Sequence, residues 1–117
     1  MSKTKILEAI AYIEKEFPET SSEFLRVQKE QYGLFCLKQK DYGPSNIAMG
    51  TQLKDDEELN LSQTGLIIRM NDKIQRLINL VIKNKRRAEN ESTQDSYQDL
   101  SIYGIIAQIV SNRKWGK

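Results

Sequence analysis

The chain contains no histidine and only one cysteine, Cys36, among its 117 residues. The first absence excludes imidazole-based zinc sites, Ser-His-Asp triads and histidine general bases. The second excludes an internal disulfide and fits a reducing compartment. Neither zinc nor haem is expected, and a metal here would take oxygen ligands, which suits Mg²⁺, Mn²⁺ or Ca²⁺. Charge of one sign is also scarce. Eighteen basic residues against 16 acidic ones leave a net +2, so no global basic field argues for nonspecific nucleic-acid binding. No apolar run approaches membrane-spanning length, and charges are scattered through MSKTKILEAIAYIEKEF. That start reads as neither signal peptide nor anchor. Internal repeats, low-complexity segments and strictly alternating strand-like runs are missing too. What remains is a soluble, cytoplasmic, all-α protein, read as one domain over residues 1–117.

What is present is helical periodicity. Ile6, Ala9, Ile10, Ile13 and Phe17 recur on one face of a helix over Lys3–Phe17, which Pro18 ends. Thr20-Ser21-Ser22-Glu23 has the spacing of a capping box and opens a second helix to about Lys40. Phe24, Val27, Leu34, Phe35 and Leu37 are its expected core residues, with Cys36 packed among them. Gly43 and Pro44 stop it. Residues 44–63, with the acidic run Asp55 to Glu58, read as a long loop between helices two and three. A central helix then starts near Gln63 or Thr64 and runs to about Lys85. Leu66, Met70, Ile74, Leu77, Ile78 and Val81 form its apolar stripe. Ala88 to Glu91 make a turn, Ser92 caps the last helix, and that helix reaches about Asn112. The expected fold is therefore a compact bundle of about four helices. The basic cluster Lys83, Lys85, Arg86 and Arg87 reads as a helix end suited to the macrodipole, and Trp115 as a residue that docks back or meets another subunit.

The ionisable residues of the last two helices stand out. Asp95 and Asp99 continue the line of Ile102, Ile106 and Val110, so carboxylates lie at the edge of a buried face. A charge so placed needs a cation or a metal. Arg69, Asp72, Lys73 and Arg76 form a second stripe on the central helix. Two readings follow. Arg69, Lys73 and Arg76 can neutralise Asp95 and Asp99 in an interhelical network. Alternatively Asp95 and Asp99, with Glu91 a turn earlier and Asp72 opposite, can hold a hard cation such as Mg²⁺ that in turn holds phosphate. Three cations also exceed what two aspartates require. Either a bound anion or the acidic run at 55–58 would account for the excess. Tyr42 and Tyr103 are candidates for base stacking or for core.

Taken in order, Lys40-Asp41-Tyr42-Gly43, then Gly65-Leu66-x-x-Arg69-x-x-Asp72-Lys73-x-x-Arg76-Leu77, then Glu91-Ser92-x-x-Asp95-x-x-x-Asp99-Leu100-x-x-Tyr103 resembles the nucleotide modification associated domain 1 family of bacteria and phages. The resemblance spans about residues 34–110. It implies a nucleotide-related role, with Lys40, Asp41, Tyr42, Arg69, Lys73, Arg76 and Tyr103 as ligand-binding residues. The layout is also distantly similar to the MazG-like all-α nucleoside-triphosphate pyrophosphohydrolases, which hold Mg²⁺ with acidic pairs on two helices. Here the earlier Glu-x-x-Glu pair is missing, and the later pair is Asp-x-x-x-Asp. Three functions are therefore expected to compete: a Mg²⁺-dependent nucleotide phosphohydrolase, a non-catalytic binder such as a phage sponge for a nucleotide defence signal, and a structural protein-interaction bundle. Tyr12, Phe24, Ile68, Ile82 and Trp115 fall off the main stripes, and this favours a homo-oligomer, most simply a two-fold dimer.

Overall fold

The structure is a computed structural model that describes residues 2–117. Among them there is no strand; the fold is all-α. Helix α1 spans Lys3–Glu16 and α2 spans Pro18–Tyr42. Ser2 caps α1, its Oγ accepting the Lys5 N–H at 3.2 Å. The junction differs from the sequence expectation. The Thr20–Glu23 box is not used, because α2 already begins at Pro18. Proline suits the first helical position, where its missing N–H costs nothing and its φ is preset. Phe17 provides the break (φ −134°, ψ 63°), and its carbonyl accepts the Ser21 N–H at 3.0 Å.

The chain divides into two compact units, one ending at Cys36 and the other covering Leu37–Lys117, so the boundary falls inside α2. The first unit holds only α1 and most of α2, and neither helix contributes a buried residue. Phe24 and Leu37, expected in the core, are 65% and 69% exposed. Val27, Leu34 and Phe35 are half-buried, and Cys36 is exposed instead of packed. Two helices without a third element cannot enclose an apolar side chain on all sides.

In the second unit α3 spans Ser45–Ala48, α4 Asp56–Leu77 and α5 Thr93–Ser111. Much of the expected 44–63 loop is therefore helical. The central helix starts two turns before Gln63, and the acidic run is its N-terminus. Asp55 Oδ1 accepts the Glu58 N–H at 2.8 Å, and Glu58 Oε1 reaches back to the Lys54 N–H at 2.9 Å. Carboxylates there offset the positive end of the helix dipole, so a charge run that looked like a loop is a helix start. Beyond Leu77 the helix widens into a π segment, Ile78–Lys83, with the Asn84 N–H bonded to the Asn79 carbonyl at 3.0 Å. The wider turn re-phases the stripe: Leu80 is buried, whereas Val81 is exposed; Ile74, still within α4, is exposed as well.

Helices α4 and α5 form the main packing pair, with Leu66, Ile106 and Val110 buried in it. Helix α3 is held to α4 by Ser62, whose buried hydroxyl donates to the Ile47 carbonyl at 2.7 Å. Gly65 permits this approach, since a Cβ there would stand 3.0 Å from the Met49 sulfur. Trp115 docks back as one of its two expected roles foresaw. It is buried and donates its indole N–H to the Pro44 carbonyl at 3.0 Å. Gly116 (φ +73°) follows so closely that a Cβ would meet Pro44 at 3.2 Å. Trp115→Phe keeps most of the ring but removes the indole bond, while the Pro44 carbonyl still accepts the Ala48 N–H at 3.1 Å. A loss of about 1 kcal/mol in urea unfolding is expected, and an unchanged midpoint would show the bond to be idle.

Candidate functional site

The expected line of Asp99, Ile102, Ile106 and Val110 holds. The three apolar residues are buried, and the Asp99 side chain at their edge is 17% exposed. Its partner is the lysine of the α4 stripe. Lys73 Nζ lies 3.0 Å from Asp99 Oδ2 and 3.9 Å from Glu91 Oε2. From α2, Lys38 Nζ approaches Asp99 Oδ1 at 3.7 Å. Asp99 is thus shared by two ammonium groups, one of which the sequence reading had not placed here.

The two arginines of the stripe act differently. Arg76 donates to the Ser92 carbonyl at 3.1 Å, to the buried Ser96 hydroxyl at 2.7 Å and to the Glu91 carbonyl. It therefore pins the start of α5, where Ser92 Oγ caps the Asp95 N–H at 3.2 Å. Arg69 donates to the Asn46 carbonyl at 3.0 Å. Asn46 Oδ1 also accepts from Gln39, which bonds the Gly43 carbonyl as well, so this network fixes the turn after α2. The acidic run takes its cation from elsewhere, Arg113 meeting Asp56 at 3.0 Å.

The other candidates are more dispersed. Lys40, Asp41 and Tyr42 lie exposed on the last turn of α2. Asp72 is exposed on α4, Asp95 is half-buried in the first turn of α5, and Tyr103 is half-buried one turn beyond Asp99. Among the described residues no three carboxylate or thiol groups gather into a set fit for a metal ion. Of the expected Mg²⁺ donors Asp72, Glu91, Asp95 and Asp99, Asp99 pairs with Lys73 and Lys38, and Glu91 lies near Lys73.

The bond to Asp99 raises the Lys73 pKa above the ordinary lysine value of 10.5; desolvation opposes the shift, and the charges of Asp99, Glu91 and Tyr103 add to it. A lysine pKa raised by folding contributes stability that is complete below the unfolded value and disappears as pH rises through the folded one. Asp99→Asn should therefore cost about 1–2 kcal/mol at neutral pH, less than a fully buried pair because both side chains keep some solvent. On the alkaline side the gap between wild type and variant should begin to narrow above pH 10.5, where Lys73 deprotonates. Urea unfolding of both proteins from neutral pH up through that window tests this, and a gap that stays unchanged far above it would remove Lys73 as the cause.

A second feature adjoins the Arg76 clamp. A cavity of about 520 Å³ opens between the π segment and the start of α5. Leu80, Val81 and Ala88 form its apolar wall, and Lys85, Arg86 and Arg87 its charged one. Ser92 and Thr93 close it with the N-terminus of α5, and no carboxylate belongs to the lining. Lys85 turns the chain there in the left-handed region (φ 49°). Arg86 also reaches the Arg87 carbonyl at 3.2 Å and lies 4.0 Å from Glu89. The sequence reading saw this basic run and took it for a helix end. Its signal was the length of the run, which continues past the last helical residue, Lys83.

Compared with known proteins, the chain matches no family model, no curated protein and no solved structure.

Proposed function

We propose that this chain is a small α-helical nucleotide-binding protein of phage or bacterial origin. It works in the cytoplasm as a homo-oligomer, most simply a two-fold dimer, and sequesters a nucleotide or nucleotide-derived signal. The observation that carries the reading is the basic cavity. Its volume falls within the usual range for small-molecule sites, and its apolar wall beside three cations suits a base or ribose next to phosphate. Arginine supplies bidentate phosphate contacts, and the free N–H groups at the start of α5 add donors of the right sign. The resemblance to the nucleotide modification associated domain 1 family points the same way. Arg76 then anchors the α5 wall of the cavity through the Ser92 carbonyl, while Lys40, Asp41 and Tyr42 are residues that the resemblance adds.

Binding without turnover is preferred to Mg²⁺-dependent hydrolysis because of Asp99. A carboxylate held by Lys73 and Lys38 is occupied by protein cations. A nucleotide panel read by thermal shift, with and without Mg²⁺, tests the proposal, since a ligand raises stability by RT ln(1 + [L]/Kd). Stabilisation with the nucleotide recovered intact is the expected outcome. Mg²⁺-dependent release of phosphate or pyrophosphate would select the hydrolase. A flat response across the panel would leave the interaction bundle.

A further inference from the structure

We propose that α1 is a self-recognition helix, pairing antiparallel with α1 of a second copy about a point between Ala9 and Ile10. The inference rests on the dimer reading above and assigns the surface that makes it. On α1 itself Ile6, Leu7, Ile10, Tyr12 and Ile13 are each 40% or more exposed, and Phe17 at its end is 53% exposed. A 14-residue helix with no buried residue is marginal by itself, so this face requires a cover.

The order of residues in α1 says what the cover is. Read from both ends, Lys3 matches Glu16, Lys5 matches Glu14, Ile6 matches Ile13, Leu7 matches Tyr12 and Ala9 matches Ile10. An antiparallel copy therefore sets Ile6 against the partner's Ile13 while Ala9 leaves room for the partner's Ile10. By helical phase, Lys3 and Glu14 flank the apolar stripe on one side, Lys5 and Glu16 on the other. A two-fold axis normal to the helix pair keeps each flank facing itself. Lys3 then lies near the partner's Glu14, and Lys5 near the partner's Glu16. A parallel pairing would instead bring Lys3 against the partner's Lys5 and Glu14 against the partner's Glu16, where like charges repel.

The test is a charge exchange on the full chain. One variant carries Lys3→Glu with Lys5→Glu, the other Glu14→Lys with Glu16→Lys. Sedimentation equilibrium of wild type comes first. A dimer is expected, and a monomeric mass at micromolar concentration overturns both the dimer reading and this inference, whether α1 then packs on its own chain or on a different protein. Given a dimer, each variant alone should raise the dimer dissociation constant at least tenfold. An equimolar mixture should recover to within about threefold of wild type, because every flank contact in the mixed pair regains opposite signs. Variants that dimerise as wild type does, or a mixture no better than its components, would leave the dimer standing and place its interface elsewhere. Circular dichroism of each variant alone and of the mixture separates weakened pairing from loss of helix: recovery on mixing supports the pairing, and helix lost without recovery counts against it.

Discussion

Leu66→Ala should lower the unfolding free energy by about 3 kcal/mol, within the range for truncating a fully buried leucine. Leu66 is 1% exposed at the middle of α4, among only eight apolar residues that the described chain buries. A core so small has few neighbours able to close over a lost side chain, so transfer and cavity costs add. The left-handed Met49 and the Ser62 bond to Ile47 further hold α3 in place beside α4 and oppose collapse into the void. Leu66→Met conserves volume and should cost less than about 1.5 kcal/mol. Urea unfolding followed by far-ultraviolet circular dichroism measures both. If Leu66→Ala unfolds within 1 kcal/mol of wild type, estimated on the same scale, the α4–α5 face is not the core of the second unit.

The second unit was more legible in the sequence than the first, and the reason is physical. The need of Asp99 for a cation was legible because a carboxylate continuing an isoleucine line has few options, and Lys73 on the facing stripe meets that need, as one of the two expected readings had it. Ser92 read correctly as a cap because its hydroxyl serves the next turn locally. The start of α4 did not, since an acidic run carries the same composition whether it is solvated or capping. Only the placement of Asp55 outside the helix distinguishes the two. Phe24 and Cys36 failed for another reason. Helical periodicity announces that a face will be covered but not what covers it, and within the first unit nothing does. The basic cavity was invisible for a third reason. It depends on the π segment and on the left-handed Lys85, which together carry Arg86 and Arg87 round to the start of α5, and neither feature has a period that a sequence displays.

The largest functional effect is expected from reversing two charges of that cavity. Lys85→Glu combined with Arg87→Glu should weaken ATP or pyrophosphate binding by about 100-fold or more, since each charge-assisted contact is worth roughly 1.5–3 kcal/mol. Both residues are exposed and lie after the last helical turn, so the unfolding midpoint should scarcely move. Long-range charge must be separated from local contact, because the change also makes the protein more acidic. Lys114→Glu with Lys117→Glu alters net charge equally at residues outside the cavity lining and serves as the control. A general field would weaken binding alike in both pairs, and added salt would remove most of that loss. Contact within the cavity confines the loss to the first pair and leaves a difference that persists at high salt. Titration calorimetry with ATP and with pyrophosphate, at two ionic strengths, reads both quantities. Equal losses in the two double variants, or none in either, would remove the phosphate from the cavity and with it the observation on which the nucleotide reading stands.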